Sequence, residues 1–138
     1  MKKDDCIFCK IANGEIPSPA LYEDECFKVI LDRGPASKGH ALILPKEHFD
    51  NAYEMPEEWA SKVFPIATKV AKAAKEAFAA DGVNILQNNE LAAGQSVFHF
   101  HMHVIPRYKD DTISIGWKPG EVTDEQVEAM AEAIRAKL

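Results

Sequence analysis

Three of the chain's five histidines fall within five residues, as His99-Phe100-His101-Met102-His103, and Val104-Ile105-Pro106-Arg107 follows. Polar and apolar residues alternate here as they do in a half-buried strand. Successive side chains of a strand point to opposite faces, so the three imidazoles share one face and Phe100, Met102 and Val104 the other. Neighbouring rings then stand about 6.5–7 Å apart, so that one phosphate can touch two of them. Three large polar rings in a row make a poor core. Two chemistries remain: a metal held by clustered imidazoles, or a surface that handles phosphate. Gly94-Gln95-Ser96 just upstream adds flexible backbone, an amide and a hydroxyl, groups that suit an anion better than a metal.

A second pattern lies near the N-terminus, where Cys6 and Cys9 form a Cys-x-x-Cys pair. Two cysteines are half of a tetrahedral zinc site; otherwise they are two reduced thiols on a short helix. Cys26, among Glu25, Phe27 and Val29, reads as a small core or interface residue. An odd cysteine count argues against a disulfide framework. MKKDDCIFCK lacks the apolar stretch of a signal peptide, which points to a cytoplasmic protein. No segment is long enough to cross a bilayer. The net charge of −6, with no run of Lys and Arg, argues against nucleic-acid or membrane partners. A small anion can still be held by local donors.

The elements that must position these residues are short. A chain of 138 residues fits one domain, 1–138, that buries roughly two-thirds of its unfolded surface. Ile7 to Ile11 reads as a short helix ended by Asn13-Gly14. Leu21-Tyr22, Phe27 to Leu31, His40 to Leu44, Val83 to Gln87 and Val97 to Ile105 read as five strands. Pro56-Glu57-Glu58 marks the start of a long helix whose stripe runs Trp59, Val63, Ile66, Val70, Ala73, Ala77. Pro65 should bend or split that helix, and Asp81-Gly82 should end it. Thr123 and Gln126 form a capping-box pattern, followed by Val127, Met130, Ala131 and Ile134 on one helical face. Residues 112–138 thus form a C-terminal extension ending in a helix. The expected architecture is α+β, a five-stranded antiparallel sheet with one long helix and a C-terminal helix.

Taken together, GQSVFHFHMHVIPR resembles the signature of the histidine-triad family, three histidines alternating with apolar residues after Gly-Gln-Ser. The likeness runs from CIFCKIANGEIPS through ILD and KGHALILPKEH to Ile105-Pro106-Arg107, leaving out the C-terminal helix. The resemblance implies that the middle histidine, His101, attacks the α-phosphorus of a purine nucleotide and forms a nucleotidyl-histidine. Water then releases the nucleoside monophosphate. It further implies that His103 bonds a phosphate oxygen, that Gln95 and Ser96 orient the phosphate and leaving group, and that His40 supports the site. Nucleotide binding would also draw on Gly94, Val97, Asn88 and Asp32, the last through the ribose hydroxyls. Asn89 could stand in for its neighbour Asn88, and Asp32 could simply initiate a turn.

A subset of the family, and the related uridylyltransferases, complete the tetrahedron with two histidines; here those positions are His48 and His99, giving a structural zinc on Cys6, Cys9, His48 and His99. A homodimer is implied, with the long helices at the interface and Ala67-Ala71-Ala74 allowing close approach, although an intramolecular contact explains that face equally well. The C-terminal helix either shapes the partner's pocket or covers the core. Arg33 follows Asp32 where many relatives carry a smaller or apolar residue; it contacts a second phosphate or the base, or faces solvent. Arg107 is either anchored near the site or a strand-end surface residue.

The substrate expected is a purine mononucleotide or adenylated small molecule, a nucleoside phosphoramidate above all. Pro106-Arg107 also resembles the branch that hydrolyses diadenosine polyphosphates. Two other classes are a nucleotide-binding regulator with only residual hydrolysis, and a zinc hydrolase using the triad itself as ligands. Against the last, Cys6 and Cys9 offer zinc a better home and no carboxylate base accompanies the triad.

Overall fold

The computed structural model describes residues 1–138. Its elements are α1 (Ile7–Ala12), β1 (Tyr22–Glu23), β2 (Phe27–Leu31), β3 (Ala41–Pro45), α2 (Glu57–Phe78), β4 (Gly82–Gln87), a 3-10 turn at Leu91–Ala93, β5 (Met102–Arg107) and α3 (Asp124–Arg135). The strands form one antiparallel sheet in the order β1-β2-β3-β5-β4. The central strands β2 and β3 are apolar runs because both their faces are covered. Phe27, Val29, Ala41 and Ile43 pack with Val63, Ile66, Ala67 and Val70 of α2. Ile30, Leu42 and Leu44 pack under Ala12 of α1 on the opposite face. Lys28 is buried on that second face, where its Nζ donates to the Ile11 carbonyl at the end of α1 (3.2 Å). A cation at a helix C-terminus suits the helix dipole.

Three expectations are corrected. Pro65 does not split α2, which runs unbroken from Glu57 to Phe78. Val63, Ile66 and Val70 flank the proline and are buried, at about 1.5–3 kcal/mol each. Their burial outweighs the roughly 3 kcal/mol that an interior proline costs. The helix ends at Ala79, in the left-handed region (φ 50°), ahead of Asp81-Gly82.

The fifth strand begins at Met102 rather than Val97, so of the triad only His103 lies within it. The carbonyl of Pro45 accepts a hydrogen bond from the His99 ring (3.0 Å), and the Phe100 N–H donates to Phe49 O (2.7 Å). The ladder therefore stops, and residues 96–101 peel toward the loop after β3.

The third concerns α3: of the two roles left open for it, covering the core is the one the structure removes. Its capping box is formed, yet none of its residues is buried, and Val127, Met130 and Ile134 are exposed. The extension is tied to the sheet at its root. Arg107 donates through Nε and Nη2 to Asp111 (2.8 and 2.9 Å), through Nη1 to Asn84 and through Nη2 to Ile113 O. This holds the Asp111 carboxyl well below the usual carboxylate range. The far half of the α2 stripe, Ala73 and Ala77, lines an open apolar groove of about 410 Å³ with Leu21, Leu31 and Phe78. No helix is long and apolar enough to cross a membrane.

Candidate active site and metal centre

His101 is 6% exposed, and its Nδ1 lies 2.8 Å from the carbonyl oxygen of His99. A carbonyl only accepts, so the ring proton is on Nδ1 and Nε2 carries the lone pair. Burial lowers the pKa of His101, while the carbonyl bond works against that shift. The ring is therefore neutral near pH 7. Phe8 of α1 packs edge-on against it, with centroids 5.1 Å apart. The result is a neutral imidazole of fixed tautomer and fixed orientation, which is what a nitrogen nucleophile needs.

A chain of donors settles the next ring. The Ala36 N–H donates to His40 Nδ1 (2.9 Å), which leaves the His40 proton on Nε2. That proton is donated to His103 Nδ1 (2.9 Å), so His103 keeps its own proton on Nε2. Burial, with His101 and His40 nearby, pushes the His103 pKa down to about 4. Burial also lowers His40, against the pull of Asp32, whose Oδ2 is 3.6 Å from His40 Nε2. Both rings are neutral. The His101 and His103 centroids stand 5.0 Å apart, closer than strand spacing alone gives, because only His103 is in the ladder.

These rings open on a cleft of about 470 Å³. Asp32, Arg33, Ser96 and Val97 line it beside them, and Phe8, Ile11, Ile16 and Ile30 form an apolar wall from α1, the following loop and β2. Asp32 does form a turn, with Oδ1 accepting from the Gly34 N–H (2.8 Å), and it also faces the cleft. Arg33 is exposed at the rim. Gly94 has φ +95°, and a Cβ there would lie 3.6 Å from the Asn88 amide. Asn89 Oδ1 already accepts from Ala52 N and Gln87 Nε2 (2.9 Å each), whereas the Asn88 side chain makes no hydrogen bond within the chain.

Gln95 differs from expectation. It is 1% exposed; its Oε1 accepts from Glu90 N (2.7 Å) and its Nε2 donates to Asp50 O (2.6 Å) and Val97 O (3.1 Å). The amide is spent as a strut that shapes the loop, so its side chain is not free to orient a phosphate. Ser96, next to it, is exposed to the cleft.

On the other side of His101, Cys6, Cys9, His48 and His99 bring one ligand atom each within 4.8 Å of one another. Cys6 caps α1, and its sulfur accepts from the Cys9 N–H, while the Lys3 N–H points at Cys9 Sγ (3.4 Å each). The His48 Nε2–H donates to Asp50 Oδ1 (2.7 Å) and the His99 Nε2–H to Pro45 O (3.0 Å). Both Nδ1 lone pairs consequently face inward, 3.3 Å from each other, with His99 Nδ1 3.4 Å from both sulfurs and His48 Nδ1 3.4 Å from Cys9 Sγ.

Two lone pairs at that distance repel unless a cation lies between them. Burial pushes the His99 pKa down to about 4, so a shared proton does not serve. Burial likewise pushes the Cys9 thiol up, and a metal is what would ionise it. Tetrahedral bonds of about 2.0–2.1 Å to nitrogen and about 2.3 Å to sulfur put neighbouring donors about 3.3–3.8 Å apart, so the quartet fits zinc. Sequence reasoning missed the orienting partners Asp50, Pro45 O and Ala36 N, and the packing of Phe8. Of these only Asp50, two residues after His48, left a local signal.

Residues 13–110 match the HIT domain family. The adenosine 5'-monophosphoramidase hnt1 of Schizosaccharomyces pombe is 38% identical over 134 residues, covering 96% of this chain and 98% of that protein. A crystal structure from Streptococcus mutans superposes with a TM-score of 0.94 at 43% identity, covering 99% of this chain and 87% of that one. A zinc-bound histidine triad family protein from Mycobacterium smegmatis superposes with a TM-score of 0.75 at 36% identity, covering 97% and 98%. On sequence and fold alike, the chain belongs to the HIT family.

Proposed function

We propose that the protein hydrolyses purine nucleoside phosphoramidates or related adenylates through a covalent nucleotidyl-histidine on His101. The observation that carries this reading is the 2.8 Å hydrogen bond from His101 Nδ1 to His99 O, which turns a neutral lone pair on Nε2 outward. Nε2 attacks the α-phosphorus, the bond to the leaving group breaks, and the leaving amine takes from solvent a proton that the water of the second step returns. Water then attacks the same phosphorus, which frees His101 and releases the nucleoside monophosphate. His103 donates its Nε2–H to the phosphate oxygen on which charge develops. Ser96 faces the leaving group, Asp32 takes the ribose hydroxyls, Asn88 lies by the sugar and phosphate, and the wall of Phe8, Ile11 and Ile16 covers the base. The name of the fission-yeast relative supports this substrate class.

Cys6, Cys9, His48 and His99 would hold a zinc ion, whose contribution when bound is structural: it adds binding free energy to folding. The zinc-bound relative supports that assignment. The apolar groove beside α2 supports a homodimer, and the reduced thiols suit the cytoplasm. The diadenosine polyphosphate alternative draws nothing from Arg107, whose guanidinium is taken by Asp111, Asn84 and Ile113 O.

The test is wild type against His101→Ala with an adenosine phosphoramidate. Turnover should fall by roughly 10⁴-fold or more, and rapid quench should trap a nucleotidyl adduct on His101 in wild type alone. A variant that still turns over, or an adduct on another residue, overturns the mechanism.

A further inference from the structure

We propose that His99 is a positioning residue that couples the metal quartet to the nucleophile, so that metal loading sets how well His101 reacts. The inference rests on the reading above, with His101 as nucleophile and a metal on the quartet. One residue makes both connections. His99 turns its Nδ1 toward Cys6, Cys9 and His48, and its own carbonyl holds the His101 Nδ1–H.

The segment that carries His101 needs such a tie, because residues 96–101 lie outside the sheet ladder. Three anchors hold it: Gln95 Nε2 on Asp50 O, Phe100 N on Phe49 O, and His99 Nε2 on Pro45 O. All three run to residues 45–50, the stretch that also carries His48 and its orienting carboxylate, Asp50. The nucleophile's segment and this loop therefore move as one body, and the quartet joins that body to the start of α1. Without a cation the Nδ1 atoms of His48 and His99 oppose each other at 3.3 Å and must part. Any shift of His99 carries its carbonyl with it, and the His101 proton loses the partner that fixes it on Nδ1. The far end of α1 is held from β2, where Lys28 Nζ donates to Ile11 O, so the apolar wall survives the loss better than the nucleophile does.

The experiment compares wild type, His48→Ala, His48→Cys and Asp50→Asn. Each is measured for zinc content, for folding by circular dichroism, for the His101 Nδ1–H resonance in ¹⁵N-labelled protein without substrate, and for the single-turnover rate of nucleotidylation. His48→Ala should lose zinc, lose the sharp Nδ1–H resonance and react about 10–100-fold more slowly, with nucleotide affinity less affected. His48→Cys should keep zinc and recover both signals. Asp50→Asn keeps all four ligands and a folded chain, and should show a broadened resonance and a several-fold slower reaction even when loaded.

Zinc-free His48→Ala, or loaded Asp50→Asn, with an unchanged resonance and rate overturns the coupling while leaving nucleophile and metal in place. Wild type that takes up no zinc, or that is labelled elsewhere than His101, instead sinks the reading on which the coupling rests.

Discussion

Two clusters flank His101, and by residue type both resemble metal sites. Cys6, Cys9, His48 and His99 form one; Asp32, His40 and His103 form the other, again with ligand atoms within 4.8 Å. They differ in where the protons are. In the first, Asp50 and Pro45 O draw the imidazole protons outward, leaving lone pairs inside. In the second, the Ala36 N–H occupies His40 Nδ1, so the proton on His40 Nε2 fills the space between the rings and binds His103. One cluster offers its lone pairs to a cation and the other is already closed by a hydrogen. Proximity and residue type do not make a metal site; the direction of the outer hydrogen bonds decides it.

This contrast breaks if the protein binds two cations per chain. Cys9→Ala should abolish zinc binding and carry the largest stability loss, about 4 kcal/mol at free zinc near a thousandfold its Kd. That corresponds to a fall in Tm on the order of 10 °C, read by calorimetry beside metal analysis. A chain that keeps one equivalent of zinc after this substitution would place the ion at the second cluster. Next in size, His40→Ala should leave the zinc content unchanged yet slow turnover about 100-fold. The loss arises because His103 is then free to take the wrong tautomer. Zinc loss in that variant would show that His40 is a ligand.

Much of this site was legible because its patterns are local. Cys-x-x-Cys and His-x-His-x-His can be read off neighbouring residues, and the structure gathers His48 and His99 to the cysteines. What escaped was decided by groups distant in sequence. The start of β5 depends on whether Pro45 O accepts from a backbone amide or from the His99 ring, which residue type does not reveal. Gln95 looked like a phosphate ligand, yet its partners come from Glu90, Asp50 and Val97. Pro65 reads as a bend or a split, and burial on both sides keeps the helix unbroken. The face of Val127, Met130 and Ile134 marks α3 as a helix without saying against what it packs.

Acid should separate the clusters by a different route. The folded pKa of His103 is pushed down to about 4, against about 6.5 for an unfolded histidine. The unfolded chain therefore binds this proton first as the pH falls. The contribution of His103 to stability is complete above pH 6.5 and is lost between there and pH 4. The ring is only partly buried and solvent screens it, so the loss is about 1–2 kcal/mol. Denaturation of His103→Asn and wild type across that range, both stripped of metal, isolates it. Parallel curves would mean that His103 is not held neutral.

The smallest and most discriminating change is Asp32→Asn. Asparagine keeps an oxygen for the Gly34 N–H, so the turn survives and stability should move by less than about 0.5 kcal/mol. It removes a charged acceptor at the cleft, which the ribose hydroxyls would otherwise meet. Loss of one such bond raises KM about tenfold, near 1.4 kcal/mol, with kcat little altered. A carboxylate serving a metal would behave differently: its amide would weaken cation binding and lower kcat, with little effect on KM. The ratio of the two kinetic changes thus reports whether Asp32 works on the substrate or on an ion, from a substitution of one atom.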